Sequence, residues 1–168
     1  MYHHGYVQRK KLSDNEPIAY ALGNRGADEL VLHYGIDRQQ IDWTTKNREC
    51  GDHYIRHALM VTSLRHAVVV ALRDWSYLTL KLWEPGGAFQ ATVRYEDRVK
   101  TRDGTRTVVV DGTVKPDSLF FVTDPVKGIH YFPEADRSTM SNARYLAKLK
   151  AYFAFWPMYL SFPFLDFR

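Results

Sequence analysis

The chain is poor in cysteine. Cys50 is the only one, so an intramolecular disulfide is excluded and a reducing cytoplasm is the expected setting. The first residues, Met1-Tyr2-His3-His4, carry no apolar signal region. No uninterrupted apolar run approaches the roughly 18 to 20 residues that span a bilayer, so no membrane partner is expected. There are no internal repeats and no low-complexity tracts. Gly86-Gly87 is not followed by the Lys-Ser or Lys-Thr pair of a phosphate-binding loop. There is also no serine elbow or Cys/His nucleophile signature. Together these absences set aside disulfide-stapled secreted domains, solenoids, P-loop nucleotidases and the common nucleophilic hydrolases.

What remains is a chain of 168 residues, 45% apolar, long enough for one compact domain and a small appendage. Its 23 Lys and Arg against 19 Asp and Glu give a net charge of +4 and a pI near 9.1. That excess permits a nucleic-acid partner without demanding one.

The opening segment predicts a hairpin. Gly5-Tyr6-Val7 and Ile18-Ala19-Tyr20-Ala21-Leu22 read as short strands around a polar loop carrying Arg9, Lys10 and Lys11. Gly23-Asn24-Arg25-Gly26 turns into a helix over 27–34 that Gly35 stops. Residues 37–51 read as a polar connector. Tyr54, Ala58, Val61, Leu64, Val68 and Leu72 recur at helical spacing and predict a long helix over 52–74, with Asp52 as its cap. Strands are expected over 77–83, 89–95, 105–110, 118–123 and 128–135, with Asp103-Gly104, Asp111-Gly112 and Asp124-Pro125 as turns. A last helix over 141–155 starts at Ser141 and ends at Trp156-Pro157. The order is α/β with a mixed central sheet flanked by helices.

The carboxylates carry the chemistry. Lys115-Pro116-Asp117 opens a strand, and Phe132-Pro133-Glu134-Ala135-Asp136-Arg137 ends the next one. Strand alternation places Glu134 and Asp136 on one face. With Asp117 beside them, three like charges need a cation. Mg²⁺ held by Asp117 and Glu134 suits that donor set, and Glu84 is an outer candidate. The alternative is ordinary solvated carboxylates at strand ends. Cys50, His53 and His57 have the spacing of a helical zinc site but no fourth ligand.

Glu134 through Thr139, Lys115-Pro116-Asp117, Lys148-Leu149-Lys150-Ala151-Tyr152 and Ala21-Leu22-Gly23-Asn24-Arg25-Gly26-Ala27 succeed one another in an order that resembles the replication-relaxation family of plasmids and mobile elements. The resemblance implies a partial winged helix over 1–36, the connector 37–51, and a restriction-endonuclease-like domain over 52–168. It implies DNA as partner, with Arg9, Lys10, Lys11 and Arg137 touching phosphates. It also implies a site of Asp117, Glu134, Asp136 and Lys148. Asp136 stands where such nucleases carry lysine, and Lys148 is the substitute. Two readings follow: a Mg²⁺-dependent DNA endonuclease, or an inactive nuclease-fold module that binds DNA, a protein partner or a second copy of itself. No recognition helix precedes the wing, so the chain reads as truncated at its N-terminus, and 164–168 read as a strand cut short.

Overall fold

A computed structural model describes residues 4–41, 50–136 and 140–161. The chain forms two compact units, Met1–Ser63 and Leu64–Arg168. It is of the α/β class expected, but among the described residues every strand pairing is antiparallel, in three separate sheets rather than one mixed sheet.

In the first unit, β1 (Val7–Lys10) pairs with β2 (Ala19–Leu22), and α1 (Asn24–Tyr34) follows. Backbone proximity explains the glycines here. A Cβ on Gly23 would lie 2.2 Å from the Gly5 carbonyl oxygen, and one on Gly26 would lie 2.3 Å from that of Tyr6. The absence of a side chain lets the Gly23 N–H donate to the Tyr6 carbonyl at 2.9 Å, and Ala27 is fully buried behind the junction. Gly35 ends α1 in the left-handed region, φ 65°, its N–H bonded to the Val31 carbonyl, as its position after the last apolar residue predicts.

The helix α2 (Asp52–Arg73) runs from the first unit into the second. Its cap is Gly51, whose carbonyl accepts from Tyr54 N–H and Ile55 N–H. Asp52 instead sits in the first turn, where its charge suits the helix dipole. None of its residues is buried. An 18-residue window with mean hydropathy 1.3 makes α2 long and apolar enough by composition to cross a membrane. Arginines interrupt the apolar residues without lowering that mean enough, so a count of uninterrupted runs passes the helix over.

The second unit holds β3 (Thr79–Pro85), β4 (Ala91–Thr101), β5 (Gly104–Val114), β6 (Ser118–Thr123), β7 (Gly128–Tyr131) and α3 (Asn142–Ser161). Strand β6 lies between β3 and β7. Cross-strand neighbours Trp83, Phe120 and Tyr131 form a ring stack across this sheet, at 4.9 and 4.7 Å between centroids. Strands β4 and β5 form an eleven-residue ribbon. Asp111-Gly112 lies inside that ribbon instead of forming a turn. Asp111 opposes Arg94 and is bonded to it at 2.9 Å, and Gly112 opposes Val93.

The core of this unit is Val93, Val114, Ala151 and Phe155, with Phe89, Tyr95, Phe132 and Tyr159 packed around it. This explains why α3 continues through Pro157 to Ser161 rather than stopping there. Proline in a helix interior costs about 3 kcal/mol. Two residues beyond it, Tyr159 packs on Phe132 and Phe155 at 5.6 and 5.7 Å and bonds His130 through its hydroxyl. Ser141 caps the other end, accepting from Arg144 N–H. Helix α3 seats on the ribbon at Gly112, where a Cβ would meet the Tyr95 ring at 2.8 Å and the Ala151 methyl at 3.0 Å. Gly112→Ala is expected to destabilise the protein by about 1–3 kcal/mol through overpacking, read as a lower urea midpoint.

Candidate functional site

The backbone first brings two acidic segments together. Pro116 is buried, Asp117 directly precedes β6, and Leu119 and Phe120 anchor that strand in the interior. Asp117 N–H donates to the Pro133 carbonyl at 3.2 Å. In return Ala135 N–H donates to Asp117 Oδ2 at 2.8 Å. These two bonds hold Asp117 beside the segment that carries Glu134. Gly86 closes in from the end of β3, since a Cβ there would stand 2.7 Å from the Asp117 carbonyl oxygen.

Helix α3 supplies the rest. Lys148 and Tyr152 are four residues apart and so share a helix face. Lys148 Nζ donates to Glu134 Oε2 and the Tyr152 hydroxyl donates to Oε1, both at 2.5 Å. The Lys148 and Glu134 side chains are only 27% and 25% exposed, so this pair is less screened than a surface ion pair. Burial pushes the Glu134 carboxyl above the usual range. The bonds from Lys148 and Tyr152 oppose that shift without overcoming it, and the charge of Asp117 adds to it. Burial also drives the Tyr152 hydroxyl well up, with the Glu134 carboxylate adding to the effect, so Tyr152 remains a phenol and a donor.

The structure thus joins Asp117, Glu134 and Lys148, and adds Tyr152, which falls with Tyr145, Leu146 and Leu149 on the apolar stripe of the helix and which stands in the Lys148-Leu149-Lys150-Ala151-Tyr152 motif without a site role in the sequence reading. Its i, i+4 relation to Lys148 is the signal that identifies it. Asp136 does not follow the strand alternation expected of it. β7 ends at Tyr131, residues 132–136 have no strand pairing, and Asp136 is exposed where Glu134 is half-buried. Glu84 stands on β3 opposite Leu119. Among the described residues, no group of three or more His, Cys, Asp or Glu is placed to hold a metal ion. Neither the three-carboxylate cluster nor the Cys50, His53 and His57 set therefore assembles.

The basic residues of the hairpin are also placed differently from a loop. Arg9 and Lys10 lie on β1. Lys10 pairs with Asp52 at 3.0 Å and donates to the Cys50 carbonyl, while Lys11 pairs with Asp14 at 2.5 Å. Arg137 lies outside the described residues.

The family model described as replication-relaxation matches residues 1–163. No curated protein and no solved structure matches the chain.

An acid with a raised folded-state pKa contributes stability that is complete below its unfolded value and is lost as pH rises through the folded one. Relative to Glu134→Gln, the wild type is therefore expected to lose stability as pH rises from the ordinary carboxylate range through the raised Glu134 value. Tyr152→Phe removes a bond that lowers the Glu134 pKa, so it moves that decline to higher pH. Thermal denaturation of the three proteins across this range checks both, and parallel curves would refute the assignment.

Proposed function

The chain belongs to the replication-relaxation family, and from that premise we propose that it acts on DNA through a nuclease-like site of Asp117, Glu134 and Lys148. The carrying observation is the Asp117–Glu134 juxtaposition, fixed by reciprocal hydrogen bonds and faced by the Lys148 ammonium. Two carboxylates and a cation beside one another are what phosphodiester chemistry requires: acidic oxygens for a metal or a water, and a positive charge for the phosphate.

The donor set fits a hard divalent cation. Mg²⁺ is commonly bound by one or two carboxylates together with substrate phosphate oxygens. Burial raises the affinity of Glu134 for its proton, with the nearby Asp117 charge adding to it, and a bound divalent cation would favour the ionised form. Asp117 and Glu134 would hold Mg²⁺, which supplies polarisation of the phosphate and a lower pKa for bound water. Lys148 then serves the charge on the phosphate. Tyr152 holds one oxygen of Glu134 and keeps the carboxylate from rotating. The setting is plasmid or mobile-element replication and relaxation in the cytoplasm.

A second reading, an inactive nuclease fold that only binds, is favoured by one observation. Both Glu134 oxygens are engaged by protein groups, and Asp136 occupies the position of the usual nuclease lysine.

Nicking of supercoiled plasmid with Mg²⁺ or Mn²⁺ separates the two. The nuclease reading expects relaxation by the wild type, none by Asp117→Ala/Glu134→Ala, and a loss of about 10²-fold in Lys148→Ala. Equal products from wild type and double variant would leave only the binding reading.

A further inference from the structure

The geometry points to the distal half of the β4–β5 ribbon as an arm that grips duplex DNA. The inference rests on the DNA reading above but uses a different surface. Near its base the ribbon has no cation surplus, because its one cation, Arg94, stands against Glu96, Asp97 and Asp111. Arg94 pairs with Asp111 at 2.9 Å, and Asp97 is bonded by Lys150 of α3. The Lys150 contact holds the Asp97 carboxyl below its usual range, so it stays ionised and the pair stays neutral overall.

Beyond Asp97 the cations prevail. Residues 98–107 are all exposed. They carry Arg98, Lys100, Arg102 and Arg106 against a single carboxylate, Asp103. Among the described residues none of these four cationic side chains takes part in an ion pair or a hydrogen bond. The register puts them on both faces. Arg98 and Lys100 lie on one face, opposite Thr107 and Thr105, and Arg106 lies on the other, opposite Val99. Arg102 sits in the two-residue connection between Thr101 and Gly104.

A cation surplus on one face would suit any flat anionic surface. Cations on both faces of a narrow ribbon suit an element lying between two anionic walls. Four residues per strand reach about 13 Å at about 3.3 Å each, with the two-residue connection beyond them. The major groove of duplex DNA, about 12 Å wide, admits a two-stranded β-ribbon between its phosphate backbones. The exposed threonines among these residues add hydroxyl donors for phosphate oxygens. The arm thus supplies the sequence-independent, counterion-releasing part of binding.

The test is the salt dependence of duplex affinity, measured by fluorescence anisotropy with a labelled duplex of arbitrary sequence between about 50 and 200 mM salt. Arg102→Gln and Arg94→Gln each remove one positive charge. The first is expected to lower the log–log slope by about 0.9, and the second to leave it unchanged. Arg98→Gln/Lys100→Gln/Arg102→Gln/Arg106→Gln is expected to lower the slope by about two to four and to weaken binding at least about tenfold at low salt. Circular dichroism should show both folds intact, because no substituted side chain packs in the core. If wild type and quadruple variant share one slope, the arm is overturned while the DNA reading stands. If Arg94→Gln and Arg102→Gln change the slope equally, net charge rather than the arm is responsible, and the proposal fails. Wild type that binds no duplex sinks both readings. Loss of binding to anionic phospholipid vesicles with duplex binding unchanged assigns the arm to a membrane surface and overturns the proposal.

Discussion

One short stretch of helix organises the second unit. Between residues 148 and 155, α3 presents Lys148 and Tyr152 to Glu134, Lys150 to Asp97, and Ala151 and Phe155 to Val93 and Val114. The constraint behind all of these contacts is close approach. Ala151 and Gly112 leave just enough room for the helix to settle on the ribbon. Interiors packed to crystal-like density transmit a displacement of one methyl to the neighbouring side chains. The site chemistry and the core therefore share one mechanical support. A shift of α3 away from the ribbon would draw the ammonium and the phenol away from Glu134 together.

Much of the element order is legible in the sequence, because it follows from periodicity and punctuation. The span of α2 follows from apolar residues recurring at helical spacing, and β6 from an apolar run between Pro116-Asp117 and Asp124-Pro125. The failures occur where tertiary contacts overrule a local signal. Asp111-Gly112 has the composition of a turn, but the glycine is there to admit α3 and the aspartate to meet Arg94. Pro157 has the composition of a stop, but the rings of Phe132, Phe155 and Tyr159 hold the helix together past it. Local chemistry is the same in both roles; only the partner distant in sequence distinguishes them.

The candidate site shows the same division. Asp117, Glu134 and Lys148 can be picked out from motif order, and the structure brings them together. Asp136 was attached to them through strand alternation, which requires a strand, and the pairing ends before it. What extends the acidic segment past β7 is the exchange of hydrogen bonds with Asp117, and no pattern of residue types encodes that exchange. Tyr152 lay hidden for the opposite reason. A tyrosine in an apolar stripe serves packing through its ring and chemistry through its hydroxyl, and sequence displays the first more readily.

The ribbon carries a consequence for how such a chain can change over generations. Its base is tied to α3, but residues 98–107 touch nothing in the core. Surface substitutions away from packed features usually alter stability by less than about 0.5 kcal/mol. The outer ribbon can thus vary almost free of selection for folding, while Gly112 and Ala151 are pinned by it. Rapid divergence at one end of a hairpin and stasis at the other would be the historical trace of that separation, with partner preference drifting while the fold stands still.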